Sequence, residues 1–97
     1  MASEKNYCVF VVEQLGELGQ VDYRPMMGEY LLYYQGVLFG GIYDNRLLVK
    51  RTATNTKFNL PEMIPYPHAK PMYHVEDIDD RELLVAVVLA TYEGLKQ

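Results

Sequence analysis

One cysteine, one serine, two histidines and no tryptophan leave this 97-residue chain short of the side chains from which most catalytic sites are built. A lone Cys8 excludes an internal disulfide and any zinc site made of several cysteines. The single serine, Ser3, stands at the very start of the chain and argues against a serine hydrolase. No apolar run approaches the roughly 20 residues of a membrane span; the densest, Leu83 to Ala90, falls far short. MASEKNYC lacks a basic region followed by an apolar stretch, so no secretory leader is expected and the cytoplasm is the expected location.

Hydrophobic residues make up 49% of the chain, enough to exclude intrinsic disorder on composition. The length fits one domain over residues 1–97, and size scaling implies that roughly 65% of the extended chain's surface is removed on folding. The net charge of -4 is unevenly spread. Acids dominate both ends, whereas between residues 46 and 75 Arg46, Lys50, Arg51, Lys57 and Lys70 face only Glu62. The simplest arrangement is an acidic, helix-rich side and a basic strand-loop side.

Periodicity predicts an α+β fold: an antiparallel β-meander flanked by an N-terminal and a C-terminal helix. SEKNYCVFVVEQLGEL reads as a helix of about four turns capped by Ser3. Cys8, Val11, Val12, Leu15 and Leu18 form its apolar stripe, while Glu13, Gln14 and Glu17 supply its wet face. Gly16 weakens the last turn and Gly19 stops the helix. Tyr30–Tyr34, Val37–Tyr43 and Arg46–Arg51 read as three strands joined by tight turns at Gln35-Gly36 and Asp44-Asn45. Alternation puts Tyr30, Leu32 and Tyr34 on one face and Leu31 and Tyr33 on the other. One face therefore meets the helices, and the other is partly covered or joins a partner. Gly40 and Gly41 predict a bulge, a bend or a close helix approach in the middle strand.

Beyond the meander, TATNTKF predicts a turn or short helix. Residues 59–71 carry four prolines that forbid an ordinary helix or central strand, which makes them a functional loop or a packed crossing. Met72–Val75 predicts one further strand. A second helix is expected from about Asp79 to Leu95, with Asp79 and Glu82 at capping-box spacing. Its Leu83–Ala90 segment is apolar all round, which predicts either a homodimer seam or a helix wedged between the sheet and the first helix.

No catalytic or cofactor motif accompanies these elements, and no enzyme, metal or cofactor is expected. LFGGI lacks the lysine and hydroxyl residue of a phosphate loop. His68, His74, Glu76 and Asp77 have no recognised metal-ligand spacing, and Asp77, Asp79 and Asp80 lack the alternation of a calcium loop. Arg46 and Lys50 share strand parity, whereas Arg51 points oppositely unless the strand has ended. Direct nucleic-acid binding, through phosphate contacts of residues 46–57 and the proline loop, is the alternative to a protein-binding surface, although helix-turn-helix, zinc-finger and RNA-binding signatures are all missing.

RPMMGEYLLYYQGVLFGGIYDNRLLVK, residues 24–50, resembles the opening motif of the TfoX/Sxy N-terminal domain, a family named for bacterial regulators of DNA-uptake competence. That motif runs Arg-Arg-Met-Phe-Gly-Gly into a strand rich in glycine, leucine and tyrosine. Arg24, Met26 and Gly28 keep its opening, Tyr30 and Tyr33 its aromatics, Gly36 its turn, and Phe39 and Lys50 its later landmarks. KPMYHVED with DDRELLVAVVLATYEGL resembles the family's later Met-x-Tyr-x-x-Val segment and closing helix, so the likeness covers essentially the whole chain. Pro25, Met27 and Glu29 depart from the second arginine, the phenylalanine and the second glycine. The resemblance implies an α+β fold and a role in transcriptional regulation of competence through protein contacts, and does not imply an established enzymatic activity. The larger competence regulators carry a separate C-terminal domain, for which this chain has no room. The expected interaction surface combines Arg24 and Tyr30 with whichever of Arg46, Lys50 and Arg51 are exposed, and a protein partner is expected there. The homodimer is a separate expectation, resting on the Leu83–Ala90 helix.

Overall fold

The computed structural model describes residues 2–96. Two helices, α1 (Lys5–Gln14) and α2 (Arg81–Leu95), enclose a chain of six strands: β1 (Val21–Met26), β2 (Glu29–Tyr34), β3 (Val37–Ile42), β4 (Leu47–Val49), β5 (Glu62–Met63) and β6 (Met72–Val75). The strands form one antiparallel sheet in the order β1-β2-β3-β4-β6-β5. The expected α+β architecture, a meander flanked by N- and C-terminal helices, is what forms.

Three two-residue turns set the register of the meander. Both central residues have positive φ at Met27-Gly28, Gln35-Gly36 and Asp44-Asn45, the backbone that matches the twist of paired strands. The first of these turns adds β1, a strand the sequence pattern missed. β1 carries Pro25, which cannot donate to a ladder, and it lies at the sheet edge, where that loss is tolerated. The proline-rich passage likewise contains a short edge strand, β5, paired with β6. Gly41 packs so closely that a Cβ there would stand 2.6 Å from the Tyr30 carbonyl oxygen and 2.8 Å from the Tyr43 ring, so the crowding comes from the sheet itself and not from the helix approach expected.

One face of the sheet meets both helices. Leu32, Phe39, Leu47, Val49 and Val75 from the strands bury against Cys8, Val11 and Leu15 of the first helical segment and Leu84, Val87 and Val88 of α2. At about 25 cal/mol per Å² of apolar area, each such leucine or valine stabilises the fold by about 1.5–3 kcal/mol relative to exposure. α2 thus spends most of its apolar circumference within the chain, leaving Ala86 and Leu89 outward.

The structure corrects four details of the helical reading. α1 ends at Gln14, and Gly16–Leu18 form a separate 3-10 turn, as befits a helix end weakened by glycine. Ser3 does not cap α1, because its hydroxyl donates to the Glu29 carboxylate and accepts from the Asn45 backbone N–H. Gln14 is buried rather than wet: its amide donates to the carbonyls of Ile78 and Asp79 at 3.0 and 3.3 Å and accepts from Arg81 at 3.1 Å. The cap of α2 is Asp80, one residue later than predicted, which accepts from the Leu83 N–H at 3.0 Å.

Candidate functional site: a cationic groove on the open sheet face

The sheet face turned away from the helices is only partly covered. Leu31 and Gly41, Gly41 and Leu48, and Leu48 and His74 are cross-strand partners and so share that face. The 65–71 stretch, stiffened by its prolines, folds over its far side. Between them runs a groove of about 730 Å³ with Leu31, Leu38, Met26 and Met72 among its apolar lining. Lys50, Arg51 and Lys70 also line it. Pro65, Tyr66 and Tyr43 belong both to this groove and to an adjoining depression of about 380 Å³ that reaches Glu29, Asp44 and Arg46. The Tyr43 and Tyr66 rings lie 6.3 Å apart at this saddle. Burial, reinforced by the neighbouring Tyr66 and Glu29, raises the Tyr43 phenol above its ordinary range, so it stays protonated as a donor.

The five residues expected to form an interaction surface are distributed unequally. Lys50 and Arg51 stand together in the groove because β4 ends at Val49, so strand parity no longer separates them. The Lys50 N–H donates to the Phe39 carbonyl at 2.8 Å, and the Lys50 carbonyl accepts from Asn55, which holds this backbone against the sheet. Arg51 pairs with Glu62 at 3.2 Å and Arg46 with Asp44 at 3.0 Å, both at the surface, where such pairs contribute little. Among the described residues no carboxylate lies within ion-pair distance of Lys50 or Lys70. Arg24 is the register partner of Leu31 and so belongs to the open face, where its guanidinium lies 5.3 Å from the Tyr33 ring centroid. Tyr30 belongs to the opposite face: it packs on the core and meets Tyr23 edge-on at 5.8 Å. The structure therefore brings Lys50 and Arg51 together, puts Arg46 in the adjoining depression and Arg24 on the edge strand of the same face, and leaves Tyr30 out.

Lys70, which the sequence marked only by its charge, and Tyr43 and Tyr66 line these depressions although sequence reasoning did not place them in the interaction surface. The available signal was the passage of four prolines, already marked as a functional loop or packed crossing, in which Tyr66 and Lys70 lie. Cys8 is buried in the core, and burial pushes its thiol up to about 11, against the low value a nucleophile needs. Burial lowers the pKa of His74, with Arg46 adding to the effect and Glu76 opposing it. Among the described residues no three His, Cys, Asp or Glu side chains gather as a metal site, and no helix is long and apolar enough to cross a membrane.

The chain matches the TfoX N-terminal domain over residues 13–94, most of its length. The chain belongs to the TfoX N-terminal domain family. It is also similar to a 12.7 kDa protein encoded in the region 5′ of trpE in Spirochaeta aurantia, itself described as uncharacterized, with 39% identity over 80 residues. That alignment spans 80% of this chain and 70% of the relative. Within this TfoX domain, the departures from the family's opening motif acquire physical roles. Glu29, in place of a glycine, accepts from the Ser3 hydroxyl and the Asp44 backbone N–H and so ties the N-terminal arm to two hairpin turns. Pro25 replaces an arginine on the edge strand, and Met27, in place of phenylalanine, stands at a turn where it is 97% exposed.

Proposed function

We propose that this TfoX-like chain is a non-catalytic regulatory module, of the kind that acts in competence regulation, and that it works by contacting a protein through the open face of its sheet. The observation that carries this reading is the joining, in one groove, of apolar side chains with lysines that have no ion-pair partner among the described residues, with Arg24 and Arg46 on the same side. Arginine, tyrosine and methionine are the side chains enriched where proteins meet. Arg24→Glu combined with Lys50→Glu should cut recovery of the native partner in affinity capture by about tenfold or more, since charge partners at contacts are worth above 1 kcal/mol. Undiminished capture by that variant overturns this placement of the surface. A second copy of the chain is one form the partner takes in this reading, and sedimentation equilibrium against the monomer mass of 11.2 kDa decides it.

A further inference from the structure

We propose that the groove accepts a short acidic peptide segment in which carboxylate and apolar side chains are interleaved, the carboxylates meeting Lys50 and Lys70 and the apolar side chains lying on Leu31, Leu38 and Met72. The proposal rests on the reading of this face as a protein contact surface and specifies what is contacted.

Charge complementarity is the first ground. The whole chain carries -4, yet this groove gathers Lys50, Arg51 and Lys70. Arg51 is already matched by Glu62, so two ammonium groups without an ion-pair partner among the described residues remain to meet an anion. The floor is the second ground. A polyanion such as DNA gains from cations alone, whereas Leu31, Leu38 and Met72 reward apolar side chains carried beside the negative charge. Extent is the third ground. The groove continues over the Tyr43–Tyr66 saddle into a depression that holds Glu29, Asp44 and Arg46. Those mixed charges suit the amides of a continuing peptide and offer nothing to a hydrocarbon tail. Met26, Ile64 and Tyr66, three of the large apolar side chains left exposed, rim the same pair of depressions.

The test uses the full chain and a labelled synthetic peptide of interleaved Asp and Leu, with one control in which Lys replaces Asp and another in which Ser replaces Leu. Fluorescence anisotropy should show saturable binding of the Asp-Leu peptide and at least tenfold weaker binding of both controls. Lys50→Glu and Lys70→Glu, checked for native circular dichroism, should each weaken the Asp-Leu peptide about tenfold. Amide shifts in a nitrogen-labelled sample should move at Leu38, Lys50 and Lys70 and not along α2. Equal binding of the Asp-Ser peptide, equal competition by duplex DNA, or shifts confined to the helices each overturn the proposal. So does the absence of any peptide binding. In that last case, if capture of the native partner remains sensitive to Arg24 and Lys50, the contact surface stands and only the class of ligand is wrong.

Discussion

Asn55 shows how much of the groove depends on one side chain that is itself nowhere near the surface. It is 0% exposed, and each of its hydrogen-bonding groups has a partner. Its amide nitrogen donates to the Lys50 carbonyl at 2.8 Å and to the Thr91 hydroxyl at 2.9 Å, and its oxygen accepts from the Thr52 N–H at 2.9 Å. One residue thus joins the end of β4, the turn after it and α2, and fixes the backbone from which Lys50 extends. Asn55→Ala removes all three bonds and leaves partly buried backbone groups short of partners, a loss of about 1–3 kcal/mol. Urea unfolding should show that loss as a lower midpoint with unchanged slope. Asn55→Asp, which keeps the acceptor but sets a carboxylate against a carbonyl, should be at least as damaging. A change within about 0.5 kcal/mol for Asn55→Ala, the range of an ordinary surface substitution, would place the stability of this junction elsewhere. Nothing in TATNTKF marks this asparagine from the sequence, because turn-forming residues look alike until their long-range partners are known.

At the scale of elements, the start of α2 separates two neighbouring aspartates that local pattern treats as equals. Asp79 has the capping-box spacing to Glu82, but Asp80 has the extended backbone of a cap and accepts from Leu83. Asp79 contributes its carbonyl to Gln14 instead, a bond that any residue can make. Asp80→Ala should therefore cost about 1 kcal/mol, within the 0.5–2 kcal/mol range of lost caps, and Asp79→Ala much less. Thermal unfolding of the two variants side by side checks the order, and equal losses would mean that α2 is anchored by charge near its positive end rather than by the bond. The elements that were legible share a physical reason: their signals are local. β2 and β3 are short apolar runs joined by Gln35-Gly36, β6 is a short β-rich run, and α2 is long and apolar. β1 was hidden because Pro25 and two charged residues break its pattern, and because Met27-Gly28 is not a dipeptide that turn chemistry singles out. The groove was hidden for the same kind of reason. Its floor comes from β1, β2, β3 and β6, its cations from the end of β4 and the proline passage, and only the sheet order brings them together.

Taken as a whole molecule, the TfoX domain separates its charges much as its sequence implies, and the separation bears on which polymer it meets. Glu13, Glu82 and Glu93 are exposed on the helices, while Lys50, Arg51 and Lys70 line the groove across the sheet. A basic strand-loop face was the sequence feature behind direct nucleic-acid binding. In the fold, however, Arg46 and Arg51 are engaged by Asp44 and Glu62, and Lys57 lies by Phe58 in the turn after β4, 5.6 Å from the ring centroid. Affinity for a polyanion grows with the number of phosphates neutralised, each releasing about 0.9 counterion from duplex DNA, and nonspecific binding at roughly 10⁻⁴–10⁻⁶ M rests on many such contacts. Lys50, Lys57 and Lys70, the lysines of that face without an ion-pair partner among the described residues, fall well below that number on a protein of net charge -4. Filter binding of duplex DNA should accordingly show no retention at micromolar protein, even at low salt. Retention with a log–log salt slope of roughly −4 or steeper would mean that more than four phosphates are engaged. The paired arginines would then have to exchange their carboxylates for phosphates, and Asp44→Asn or Glu62→Gln, by freeing them, should strengthen retention further.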